Sequence, residues 1–375
     1  MKMKLKLAAA GLAAVALALT SACGGGGGGG KFAGDSAQFP AAQYPKSVFG
    51  NLHGQLLWYD TSGGTIGQAR ADSYFKDFTA LTGVKSSREF TDGETTKLFN
   101  AVQQGGPVPW NMGQITNSDF YIAKAKGWLE PLDPKVIPMG DLNPGQADKY
   151  GVRHDIYGTV MFWNTKAFPK NKQPKDISAL LDTKNYPGKR CFPQTFEGLA
   201  EIMLQADGVK PADVYPLDTA RVFKTLDKIK RDTVWWNQAD VATANMLNGE
   251  CTIGITYAGR VYGAVTKNHY PLNASWSGSY ISASWYVVPK GATDPKVGQA
   301  AISMVVRDKP ANLKYVTDTT YPVDLKKLPL SSYPASVQRW LAIGKNAAQG
   351  VQTDGNWYAQ HPSIQVQFQN WLVKG

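Results

Sequence analysis

The sequence predicts an α/β fold built as two lobes that face each other across a cleft. Three observations predict it. At 375 residues the chain exceeds the roughly 250–300 residues at which a single core stops growing, so it divides into two domains. Short β-prone runs alternate with segments of helical periodicity, the pattern of mainly parallel sheets flanked by helices. No long internal repeat appears, and the two α/β segments share an architecture but no sequence period. With 43% hydrophobic and 18% charged residues, the composition is globular and excludes a disordered or collagen-like chain.

The first residues are set aside before the fold is read. Lys2, Lys4 and Lys6 precede an apolar run over residues 7–19, the pattern of a secretory signal peptide. That run is shorter than the roughly 20 residues a membrane span needs. It ends Leu19-Thr20-Ser21-Ala22-Cys23, which resembles the lipobox at which bacterial lipoproteins are cleaved and acylated, with Thr20 where Leu is commoner. The resemblance implies removal of residues 1–22 and lipidation of Cys23; the competing reading is an ordinary signal peptidase site. Seven glycines, Gly24 to Gly30, follow as a flexible tether, with no preceding strand to make them a phosphate loop. Setting aside the three leader lysines lowers the formal charge from +11 to +8. Lys and Arg form no block of five, so a solvated surface is expected and no nucleic-acid groove.

The elements follow in order. Residues 55–60 read as a strand running into Thr61-Ser62-Gly63-Gly64-Thr65, and Tyr74, Phe75, Phe78 and Leu81 mark one face of a helix stopped by Gly83. A helix with Leu98, Phe99, Ala101 and Val102, a strand over 110–116 and a helix ending at Gly127 complete a βαβα segment. Residues 157–163 form the longest β-prone run of the first half and are read as a crossing between lobes, followed by a Lys- and Pro-rich loop over 166–175. A second α/β segment has a strand at Cys191, a helix over 197–205, a helix over 218–230 capped by Asp218 and a strand over 251–257. Residues 282–289 return as a strand. Val297, Ala300, Ala301 and Met304 show helical spacing, and the tail is expected to be helical around Trp340 and Trp371. Of the adjacent Trp235 and Trp236, one is expected inside and one outside. Mainly parallel sheets bind ligands at the carboxyl ends of their strands, so the strand ends are where a site is sought.

Motifs of common chemistries are missing. There is no G-x-S-x-G, H-E-x-x-H, G-x-x-x-x-G-K-S/T or strand-linked G-x-G-x-x-G. His53, His154, His269 and His361 are scattered, which predicts no histidine-based metal site and no cofactor. A paired-carboxylate hydrolase leaves no sequence signature, so a secreted hydrolase is the rival reading. Cys191 and Cys251, each on a short apolar run, are a plausible disulfide if the chain is exported, or else two buried thiols.

The order of these features, with Tyr186-Pro187-Gly188-Lys189, Leu247-Asn248-Gly249-Glu250-Cys251-Thr252-Ile253-Gly254, Tyr286-Val287-Val288-Pro289-Lys290-Gly291-Ala292 and Thr320-Tyr321-Pro322, resembles the extracellular solute-binding lipoproteins of bacterial ABC importers. It is most similar to the periplasmic spermidine/putrescine-binding group. That resemblance implies a type II periplasmic-binding-protein fold. Residues 51–158 with 284–320 would form one lobe and 159–283 with 321–375 the other, and residues 23–50 would carry anchor and tether. It also implies a small-molecule solute, partnership with a permease and an ATPase, a membrane anchor, a monomer and no chemistry of its own.

By position, the resemblance places Asp60, Thr61 and Ser62 after the first strand and Thr116, Asn117 and Ser118 after the third in the pocket. Glu197, Tyr257, Ser282 and Ser284 complete it. Each has a plainer reading: Asp60 to Ser62 as helix caps, Glu197 as a favourable charge at a helix start, Tyr257 as core. Polyamine binders hold ammonium groups with several carboxylates and an aromatic box. Here Ser282 and Ser284 stand where that group has an aromatic residue and an Asp. Arg260, one turn beyond Tyr257, is a surface charge or a fork for a carboxylate or phosphate. The expected solute is therefore a small polar organic molecule, polyamine-like or else anionic, zwitterionic or a metal ion.

Overall fold

A computed structural model describes residues 32–62, 64–91, 95–323 and 325–374. The leader, Cys23 and the glycine tether lie outside the described residues. In the first lobe, β1 (Gln55–Asp60) lies between β2 (Lys85–Phe90) and β3 (Met112–Ile115), all parallel. In the second, β6 (Arg190–Pro193) lies between β7 (Thr233–Trp236) and β8 (Ile253–Tyr257), again parallel. Two long strands join these halves: β5 (Gly151–Asn164) and β9 (Leu272–Val287), antiparallel to each other. The end of β9 pairs with β3 from Gly113↔Val287 to Ile115↔Trp285, and the end of β5 pairs with β8 from Thr159↔Tyr257 to Trp163↔Ile253. The result is one continuous sheet, ordered β2-β1-β3-β9-β5-β8-β6-β7, with short β4 (Ala147–Asp148) on β5 and β10 (Val351–Gln352) on β9.

The helices follow their apolar periodicity. Tyr74, Phe75, Phe78 and Leu81 are buried, and Gly83 ends their helix in the left-handed region at φ 74°. Asp218 caps the helix Thr219–Asp227, its carboxylate accepting from the Arg221 N–H at 2.9 Å. Trp236 is buried, while Trp235 is partly exposed against Phe368 and Trp371. Cys191 in β6 is bonded to Cys251, just ahead of β8, with Cα atoms 5.8 Å apart.

Three expectations change. β9 begins at Leu272, ten residues before the expected strand, because its Asn- and Ser-rich first half has little β-propensity of its own and is held by the β5 ladder. The helix expected from residue 197 starts at Leu199 and leaves Glu197 on the preceding loop. Trp340 follows the short helix Ala335–Gln338 in irregular chain, and only Trp371 lies in a long helix, Ile364–Val373. The C-terminal segment touches both lobes. β10 pairs with β9, the helix Gly355–Gln360 packs on the helix Asn117–Ala125, and Phe368 packs on Phe196. No helix among the described residues is long and apolar enough to cross a membrane.

Candidate ligand-binding site

The carboxyl ends of β1 and β3 in one lobe face those of β6 and β8 in the other. On the first-lobe side, Asp60 is wholly buried and committed elsewhere. Its Oδ1 accepts from Arg70 at 2.8 Å and its Oδ2 from Arg88 at 3.1 Å. Arg70, also fully buried, pairs in addition with Asp155, the bulged residue of β5, which has φ 52°. Tyr315 donates to Asp155 at 2.6 Å, and His154 Nδ1 lies 2.6 Å from the same carboxylate. Arg70 and His154 hold Asp155 well below the usual carboxylate range against the desolvation that opposes them, while burial pushes His154 down. Asp60 is thus part of a buried ion network at the root of β5. Thr61 and Ser62 both turn to Gln114: Thr61 Oγ1 donates to its Oε1 at 2.6 Å and Ser62 Oγ at 3.2 Å. The Gln114 amide donates to Ser284. These side chains are tied to one another through Gln114 at the end of the first lobe's strands.

Thr116 caps the helix Asn117–Ala125, accepting from the Asp119 N–H at 3.2 Å. Asn117 is buried and accepts from Trp285 Nε1 at 2.7 Å, and Trp285 stacks on Phe120 at 3.8 Å. Ser118 reaches across the cleft. Its hydroxyl donates to Glu197 Oε2 at 2.7 Å, a direct bond from one lobe to the other. The second oxygen of Glu197 accepts from Tyr280 at 2.5 Å. Burial pushes the Glu197 carboxyl up to about 7, only partly offset by these two hydroxyls, with Glu201 and Asp119 adding repulsion.

Beyond Glu197 stands a wall of tyrosines. Tyr157 of β5 packs edge-on against Tyr257 at 5.4 Å and against Tyr321 at 6.4 Å, and Ser282, opposite Tyr157 in the ladder, is fully buried. Tyr257 ends β8 and starts the helix Ala258–Tyr262, which carries Arg260. The Tyr257 hydroxyl feels both the negative field of Glu197 and the positive field of Arg260 and is pushed up by burial. Arg260 Nη1 lies 3.1 Å from the exposed Asp240. Its Nε is buried without a hydrogen-bond partner among the described residues, as is the indole N–H of Trp236, whose ring packs edge-on against Tyr257. Tyr257 thus has a carboxylate, a guanidinium and two unpaired buried N–H donors in its surroundings.

Of the residues that the sequence reading named, the structure joins Ser118 to Glu197 by a hydrogen bond and sets Tyr257 in the field of Glu197 and Arg260. The sequence reading missed Gln114, Tyr157, Trp236, Tyr280 and Tyr321. Gln114 carried a signal: it is a lone amide in an apolar strand, directly before the helix start. The tyrosines carried none, since a buried strand aromatic reads as core until its hydroxyl finds a partner. Among the described residues, no group of three His, Cys, Asp or Glu is placed to hold a metal ion.

Residues 73–359 match the model of a family described as bacterial extracellular solute-binding protein. The gamma-aminobutyric acid-binding protein of Pseudomonas aeruginosa is 24% identical over 330 residues, which cover 85% of this chain and 92% of that protein. Among solved structures, a GABA receptor is similar with a TM-score of 0.78 and 28% identity, covering 86% of this chain and 98% of its own. AgtB from Agrobacterium tumefaciens R10, in complex with agropinic acid, has a TM-score of 0.75 and 26% identity, covering 86% of this chain and all of its own. The chain shares with them the two-lobed α/β fold of periplasmic binding proteins.

Proposed function

Since the chain belongs to the bacterial extracellular solute-binding proteins, we propose that it captures a short zwitterion of the ω-amino-acid class for an ABC importer. In this reading the ammonium group rests against Glu197 and the carboxylate against Arg260. The observation that carries it is that Tyr257 lies in the field of both the Glu197 carboxylate and the Arg260 guanidinium, whose Nε–H, like the indole N–H of Trp236 packed on Tyr257, is buried without a partner among the described residues. A polyamine needs an acid at each end, and the far end here is cationic. The relatives that bind gamma-aminobutyric acid support the same class.

Binding of this kind favours the closed state, because Ser118 and Glu197 meet only when the lobes are together. The hinges are β5 near residues 157–162 and β9 near residues 280–284, and the closed form is what the permease and its ATPase receive. The mature chain is held at the outer membrane face or in the periplasm by acylated Cys23 and works as a monomer.

Calorimetry with three four-carbon solutes tests the charge pattern. Gamma-aminobutyric acid, putrescine and succinate have the same span and differ in their end groups. The zwitterion is expected to bind at least about 100-fold tighter than either of the others, about 2.7 kcal/mol. Putrescine binding as tightly as the zwitterion would overturn the assignment of Arg260, and chemical conversion of any of the three would revive a hydrolase.

A further inference from the structure

Glu197 is tied to more than the cleft. Tyr280, which donates to its Oε1, accepts in turn from the Thr353 hydroxyl at 2.6 Å. Thr353 lies one residue beyond β10, whose pairing at Val351↔Tyr280 and Gln352↔Ile281 sets it beside the phenol, and its N–H donates to the Ile281 carbonyl at 2.9 Å. The loop that carries Glu197 is fastened from the same segment. The Phe196 N–H donates to Gln365 Oε1 at 2.8 Å, and the Gln365 and Gln369 amides donate to the Gln194 carbonyl at 3.0 and 2.8 Å. Gly198, at φ 85°, presses the loop onto Tyr280, where an added Cβ would lie 3.1 Å from the ring.

A phenol has one proton to give. The Thr353 hydroxyl has two acceptors in reach, the Tyr280 oxygen at 2.6 Å and the Ile281 carbonyl at 3.0 Å; donating to the nearer, it directs the phenol proton at Glu197, and donors in series polarise one another. Tyr280 and Ser118 therefore point donors at one carboxylate, with Thr353 behind Tyr280. We infer that Thr353 is a positioning residue for solute capture, acting through Tyr280 on the charge of Glu197, so that residues 351–373 belong to the binding machinery. The inference rests on the reading of Glu197 as the ammonium contact.

Other groups face Glu197. Glu201 and Asp119 oppose its ionisation. Tyr157 from β5 and Tyr257 from β8 lie within its field. Tyr215 and Tyr358 also feel it, but both donate to Glu201, at 2.5 and 2.7 Å. None of these groups changes in a Thr353 variant.

The test compares Thr353→Val, Thr353→Ser and Glu197→Gln in the mature protein. Two readouts run from pH 5 to 8: melting temperature without solute, and calorimetry with gamma-aminobutyric acid. In Thr353→Val, the pH inflection of the melting curve that Glu197→Gln abolishes is expected to move upward, and affinity at pH 7 to fall about two- to fivefold, one hydrogen bond's share. Thr353→Ser is expected to restore both. An unmoved inflection in Thr353→Val, or equal losses in the Val and Ser variants, would overturn the inference while leaving Glu197 in place. An inflection that survives in Glu197→Gln would overturn the Glu197 reading and this inference with it. The melting curves need no solute, so a failure of the zwitterion assignment alone leaves this test decisive.

Discussion

With Glu197 as the proposed ammonium contact, the pH dependence of solute binding follows from one carboxyl group. Glu197 is pushed up to about 7 from an ordinary 4.5, chiefly by burial. An ammonium group can pair only with the ionised form, so below pH 7 the site must lose its proton before it binds. Affinity should then approach a tenfold loss per pH unit well below 7, or about 50-fold between pH 7 and 5, close to 2.3 kcal/mol. Isothermal calorimetry in two buffers of different ionisation enthalpy should show close to one proton released per solute bound at pH 5.5 and almost none at pH 8.

The unliganded protein should show the opposite trend. A carboxyl raised in the folded state keeps a proton that the unfolded chain releases, so its stabilising share is complete below about pH 4.5 and is lost as pH rises through about 7. The full shift corresponds to about 3 kcal/mol, reduced by the partial exposure of Glu197. Glu197→Gln should flatten both dependences. An affinity constant from pH 5 to 8, or the same slope in Glu197→Gln, would refute the reasoning.

Arg260→Gln should cost gamma-aminobutyric acid about 10- to 100-fold in affinity, the worth of a charge-assisted contact, and leave putrescine no weaker, as titration of both solutes would show. Arg70→Met removes the counter-ion shared by Asp60 and Asp155 and should lower unfolding free energy by about 3–5 kcal/mol in denaturant melts. Asp60→Asn should likewise change stability and not solute affinity, which separates the network role from ligand contact. Reducing the Cys191–Cys251 bond opens a 60-residue separation and should cost about 4 kcal/mol by the chain-entropy relation, read as a lower guanidinium midpoint.

What the sequence made legible was local. The face of Tyr74, Phe78 and Leu81, the stop at Gly83 and the cap at Asp218 each depend on residues within one or two turns, and they appear in the structure as read. The site depends on pairs far apart in the chain. Ser118 and Glu197 were both singled out by their places at element ends, but their meeting across 79 residues is set by the closure of the lobes. Asp60 looked like a ligand contact for the same positional reason. Arg70, ten residues on and fully buried, claims it first, and a buried charge demands a partner more strongly than a cleft demands a ligand. The first half of β9 was hidden because serines and asparagines make a strand only where a neighbour supplies the ladder.

The threading of β5 and β9 through both lobes also governs how the chain can fold. The first lobe lacks an edge of its sheet until residues 285–287 arrive to pair with β3. The second waits for the tail that fastens the Glu197 loop. Neither half can be finished while the chain is still emerging, and such late, non-local pairings are slow. A protein assembled in this way is expected to reach its native pairings only once its last residues are made, so a chain truncated before residue 351 should complete neither lobe.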